Sequence, residues 1–216
     1  MSFRGWPAEA IEFYEGLEAD NSKAYWNENK AVYDNLVLRP MTELLADLAP
    51  EFGAGRVFRP YRDVRFSANK APYKTTIGAT LEFGGYVQLS AEGLAAGSGM
   101  WRMAPDQLER YRQAVSEETT GQSLAELLAS LRAAGLQAGG HDVLKTAPKG
   151  YPKDHPRIEL LRYKGVTSWV HWPPGAWLGK PSAKERLVKF YRISRPLDDW
   201  LDANVGPSLL AEPGRH

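Results

Sequence analysis

The stretch "TTIGATLEFGGYVQLSAEGLAAGSGMW", residues 75–101, decides the fold. Its opening "TTIGATLEF" alternates in polarity and is rich in β-branched side chains, the pattern of a half-buried strand. "GGYVQLSAEGLAAGSGMW" continues as further strands with glycine-marked turns. The connections are too short for helical crossovers, so an antiparallel meander is expected, with β character over residues 56–104.

Outward from this centre the periodicity turns helical. Over residues 1–55, Pro7 suits a first helical turn, and Ile11, Tyr14 and Leu17 recur at helical spacing. Asn21 or Ser22 can cap a second helix carrying Trp26, Tyr33, Leu36 and Val37, which Pro40 is expected to break before a third helix with Leu44, Leu45 and Leu48. On the other side, residues 105–216 read as mainly helical. Pro105 opens one helix, Ser123 can cap the next, and Gly135 stands where a C′ glycine belongs. "GYPKDHPRIELLRYKG" reads as a short helix opened by Pro156 and closed by Gly165, followed by a strand near 166–172. Ser182 and Glu185 form a capping box, "PPGAWLGKPS" is a loop, and Pro196 is expected to start a last helix. The expectation is a single α+β domain over 1–216, with a helical N-terminal part, a central antiparallel sheet and a helical C-terminal half.

The 216 residues carry a net charge of +1, which excludes a chain drawn as a whole to nucleic acid or membrane. The absence of cysteine excludes disulfides, thiol catalysis and thiolate metal sites. Glu9, Glu12 and Glu15 stand where a signal peptide needs an apolar run, and no stretch approaches the ~18 apolar residues of a membrane span. A cytoplasmic location and no membrane partner are expected.

Charge is uneven nonetheless. Arg56, Arg59, Arg62, Arg65, Lys70 and Lys74 surround the single acid Asp63. In an extended segment Arg59, Tyr61, Asp63 and Arg65 share one face, with Arg62, Val64 and Phe66 on the other. Asp63 can pair bidentately with one guanidinium and leave another free for a phosphate or carboxylate. "SANKAPYK" reads as a turn with Asn69 in a turn geometry, Lys70 at the tip and Tyr73 as a hydroxyl donor.

Residues Arg59, Arg62, Asp63, Arg65, Phe66, Asn69, Lys70 and Tyr73 spell R-x-x-R-D-x-R-F-x-x-x-N-K-x-x-Y. This signature resembles that of a mostly bacterial family of conserved hypothetical proteins, a domain of unknown function. The likeness extends to the N-terminal helical segment and to the Asp154-His155-Pro156 segment. Family members often carry Asn-Asn and Trp-Phe where this chain has Asp20-Asn21 and Tyr25-Trp26. The resemblance implies no established reaction.

The site expectation is therefore built on residues: Arg59, Arg62, Arg65, Asn69 and Arg102 to bind a small phosphorylated or carboxylated ligand. If a reaction follows, Asp63 would be the base or orienting carboxylate, Lys70 would stabilise developing charge and Tyr73 would give a proton. Single-stranded nucleic acid, with Trp101, Tyr86, Tyr61 and Tyr73 as stacking platforms, is an alternative, and an ion-pair scaffold is another. Gly97 and Gly99 read as a hairpin bulge, or else as a phosphate-binding turn beside Arg102. The histidines lack metal-ligand spacing; His155 reads as a helix-start cap or as a carboxylate-oriented acid/base. No cofactor or oligomeric state is legible.

Overall fold

A computed structural model describes residues 2–65 and 70–210. The protein is α+β, with helices at both ends flanking a six-stranded antiparallel sheet in the order β1-β2-β3-β4-β6-β5. The strands are β1 (Gly55–Val57), β2 (Thr76–Leu81), β3 (Tyr86–Ser90), β4 (Gly93–Met100), β5 (Gln137–Val143) and β6 (Tyr163–Trp172). The expected meander is present: β1, β2 and β3 pair in sequence, with Val57 opposite Ala79 and Ile77 opposite Leu89. Among the described residues, no helix is long and apolar enough to cross a membrane.

The chain divides into two compact units, the first made of Met1–Ala96 and His171–Phe190, the second of Gly97–Val170 and Tyr191–His216. In the first unit, α1 (Ala8–Ala19) and α2 (Lys23–Val32) are joined by a turn that Ser22 caps, its hydroxyl accepting from Tyr25 N at 3.1 Å. Pro40 does not break the following helix as expected. Instead the winding widens into a π-helical turn, Tyr33–Leu38, where Arg39 N–H donates to Asp34 O five residues back, and α3 (Arg39–Phe52) continues from it. A proline ring collides with the carbonyl four residues before it, and a locally wider winding relieves that collision. Tyr33, Val37, Met41, Leu44 and Leu48 are all buried along this rod, so the core holds the helix together across the proline.

The second unit contains α4 (Pro105–Ser116), α5 (Glu118–Ala133), the single-turn α6 (Ile158–Leu161) and the later part of α7 (Ser182–Asn204). Its core joins Tyr111, Val115, Leu124, Leu128, Leu161, Val166, Leu197 and Trp200. Pro105 opens α4 and Gly135, at φ +86°, follows α5, both as expected. Several expected boundaries move. Ser123 lies inside α5, which starts at Glu118. Gly165 lies in β6, which starts at Tyr163. Pro196 sits inside α7, where burial of Leu197, Trp200 and Leu201 outweighs one lost backbone hydrogen bond. Ser182 forms no box; its hydroxyl donates to Trp177 O at 3.2 Å.

Gly97 and Gly99 lie within β4 rather than in a phosphate-binding turn before a helix, and Gly99 adopts φ +99°. A Cβ on Gly97 would come within 2.7 Å of the Trp169 ring. Strand β5 was also unforeseen, since "QAGGHDV" has two adjacent glycines and little β propensity; pairing with β6 supplies the order instead.

The Asp154-His155-Pro156 segment has a structural use. The short helix starts at Ile158 and not at Pro156 as expected, and no side chain caps it; in the turn before it His155 Nδ1 accepts from Arg157 N at 3.0 Å. Arg157 then crosses to the end of α4. Its Nε donates to Val115 O at 2.8 Å and its Nη2 to Ser116 O and Glu117 O at 3.0 and 3.2 Å. Val115 O and Ser116 O are carbonyls that the end of α4 leaves without intrahelical partners, at the negative pole of its dipole. Glu117 O also accepts from Gly121 N at 3.0 Å, where α5 begins. Gly121 leaves room for the guanidinium.

Candidate functional site

The basic segment folds as an arm of the first unit. Phe58 N donates to Gly78 O, Lys74 N to Pro60 O and Arg62 N to Pro72 O, each at 2.8 Å, with Tyr61 and Tyr73 as an antiparallel bridge between them. Pro60 and Pro72 have no N–H, so pairing here is intermittent and no continuous ladder forms.

Two contacts fasten the arm to the helices. The Tyr73 ring stacks on Trp26, centroids 4.3 Å apart and 7° from parallel. Beside it Asn21 imitates a strand neighbour: its Oδ1 accepts from Tyr73 N at 3.0 Å and its Nδ2 donates to Tyr73 O at 3.2 Å. Asn21 thus serves the arm, while Ser22 caps the helix. Tyr73 is only 5% exposed, and burial, with Tyr61 beside it, raises its hydroxyl pKa above the ordinary value.

A cavity of about 410 Å³ opens against the arm. Arg62 and Lys74 line it, together with Glu18 from α1, Asn21, and Thr75 and Thr76 at the start of β2. Among the described residues no ion pair engages Arg62 or Lys74. The Lys74 ammonium is held below its ordinary pKa by burial and then by the repulsion of Arg59. It lies 5.5 Å from the Phe58 ring centroid. Two cations lining one hollow, with Lys74 disfavoured by burial, are an arrangement that an anion stabilises.

The other expected site residues are placed differently. Asp63 and Arg65 form an exposed bidentate pair, with Nε to Oδ1 at 3.0 Å and Nη2 to Oδ2 at 2.8 Å. Side-chain and backbone hydrogen bonds from Arg65 hold the Asp63 carboxyl down to about 2, well below what a proton acceptor near neutral pH needs. Arg59 is exposed and adds to both effects from a distance. Lys70 is exposed and donates to Val64 O at 3.1 Å. Asn69 lies outside the described residues. Arg102 belongs to the second unit and is exposed. Of the expected binding and catalytic residues that are described, Arg62 and Tyr73 line the cavity and the others do not. Glu18, Lys74, Thr75 and Thr76 were missed as site residues. Lys74 was visible as the sixth cation of the segment; Glu18 and the threonines carried no signal apart from helix and strand pattern.

Among the described residues no group of three His, Asp or Glu is placed to hold a metal. A family model described as "Conserved hypothetical protein (DUF2461)" matches residues 9–200. No curated protein matches the chain. Among solved structures, a conserved hypothetical protein from Pyrococcus furiosus is similar at 14% identity and a TM-score of 0.36, covering 78% of this chain and 98% of its own.

Proposed function

This chain belongs to the conserved hypothetical family DUF2461, whose description names no reaction, and we propose from its own residues that the cavity beside the arm binds a small phosphorylated or carboxylated molecule. The observation that carries the reading is the shared cavity of Arg62 and Lys74, with no ion pair to either among the described residues. Arg62 offers a planar fork to two anionic oxygens, Lys74 a point charge, and Thr75 and Thr76 neutral hydroxyls. Glu18 on the same rim favours a ligand that also carries a donor or positive group. Binding rather than catalysis is the reading, because Asp63 is occupied by Arg65 and held strongly acidic.

The test is calorimetric titration of inorganic phosphate into wild type, Arg62→Ala and Lys74→Ala, with thermal unfolding of each in phosphate and in chloride. Phosphate raises the unfolding temperature of any protein somewhat by exclusion from its surface, so the variants are the control. The expected outcome is saturable binding to wild type and a stabilisation that both variants lose. Equal stabilisation of all three would sink the reading. If single-stranded oligonucleotides bind instead, with a steep salt slope, the basic arm serves nucleic acid.

A further inference from the structure

The second unit holds a cavity of different chemistry, and it involves neither the arm nor its cations. It measures about 450 Å³, within the usual range of small-molecule sites. Three rings line it: Trp101, His141 and Trp169. Two neutral polar side chains join them, Gln137 of β5 and Thr167 of β6, and between lies the backbone of Gly139 and Gly140. Apart from His141, no titratable side chain lines it. Trp101 is 60% exposed, yet it is not loose, because its ring rests on that of His141 with centroids 3.2 Å apart at 30°. A large indole left in water and propped in place is a stacking surface awaiting a partner.

We infer that this cavity binds an uncharged planar heteroaromatic ring of the nucleobase type, stacked on Trp101 and read at its edge by Gln137 and Thr167. Each alternative occupant meets an obstacle. An anion finds no lysine or arginine in the lining. An extended peptide adding to the edge of β5 meets Arg132, whose Nε already donates to Ala138 O at 2.7 Å and whose Nη2 lies 3.1 Å from where a Cβ on Gly139 would stand. A sugar ring presents hydroxyls around its whole rim, and each needs a partner once buried, whereas the lining offers more ring surface than polar side chains. A nucleobase has two apolar faces and a short polar edge. The Gln137 amide, with a donor and an acceptor side by side, matches such an edge as it does the bases of nucleic acids. This inference is independent of the phosphate reading, since the ligand class it names is uncharged.

The experiment is calorimetric titration of the full chain with adenosine and cytidine, and in parallel with methyl glucoside and cellobiose. Nucleosides, which lack phosphate, cannot report on Arg62 and Lys74. Saturable nucleoside binding is expected, weakened roughly tenfold by Trp101→Ala, as loss of a stacking ring does in base-binding proteins. Trp101→Phe should fall between the two, and serves if the alanine variant is unstable. Gln137→Leu, on an exposed strand position, should change the ratio of adenosine to cytidine affinity without moving the unfolding temperature. The inference is overturned by absence of saturable binding at millimolar nucleoside. Binding of the sugars alone, or nucleoside binding indifferent to both Trp101→Ala and Gln137→Leu, overturns it equally.

Discussion

Arg157 has a side chain only 9% exposed and donates to three carbonyls between the end of α4 and the start of α5. Replacing it strands the Val115 and Ser116 carbonyls and leaves a void. Arg157→Met is therefore expected to lower the unfolding free energy by about 2–4 kcal/mol in urea titration. His155→Ala, which removes the acceptor of the Arg157 N–H, should cost about 1 kcal/mol. Asp63 is the opposite case. Its pair with Arg65 stands in solvent, so Asp63→Asn should leave the urea midpoint unchanged within error. A midpoint lowered as far as that of Arg157→Met would mean that Asp63 anchors the fold. A short helix after the Asp-His-Pro segment was readable because proline punctuates the chain locally, although it starts at Ile158 and not at Pro156. The reach of Arg157 was not, because its partners lie some forty residues away in sequence.

At the scale of elements, the arm depends on Asn21 more than on its own pairing. Asn21→Leu removes both hydrogen bonds to the Tyr73 backbone and should cost about 1–3 kcal/mol. Hydrogen exchange at Tyr73 N–H should quicken more than at Ile77 in the buried part of β2, and equal protection in the variant would show that Trp26 stacking alone holds the arm. The meander and most helices were legible, because strand alternation, helical spacing and Pro105 or Gly135 act within a few residues. Pro40 and Pro196 misled for a related reason. Local rules end a helix at proline, while buried Val37 and Met41 in one case, and Leu197 and Trp200 in the other, hold it through. The cavity was half legible. A crowd of cations marked the arm, but which of them would face Glu18 depended on how Tyr73 docks on Trp26.

For the whole molecule, acid stability should have two limbs. Asp198 is half-buried, accepts from Ser98 Oγ at 2.6 Å, and is pushed up to about 6, mainly by burial. A carboxyl raised in the folded state favours folding fully below its unfolded pKa near 3.8, and that contribution is lost as pH rises through 6. Stability should therefore rise by roughly 2–3 kcal/mol between pH 7 and pH 4 from this group alone. Asp198→Asn should flatten that rise, as urea titrations across the range would reveal. Asp47, lowered chiefly by its hydrogen bond from Lys184, and Asp106, held to about 2 chiefly by the Leu209 N–H, act in reverse. Their contributions are present above pH 3.8 and disappear as pH falls through their lowered values, so a maximum near pH 4–5 is expected. The two units also share their threads. β4, β6 and α7 each begin in one and finish in the other, and the first unit takes its last residues from His171–Phe190. A ribosome making this chain from its N-terminus has thus delivered residues 1–96 long before the segment that completes that unit emerges. Nascent chains halted at residue 96 or 170 should be cut readily by protease, and resistance should appear only once residue 190 has cleared the exit tunnel.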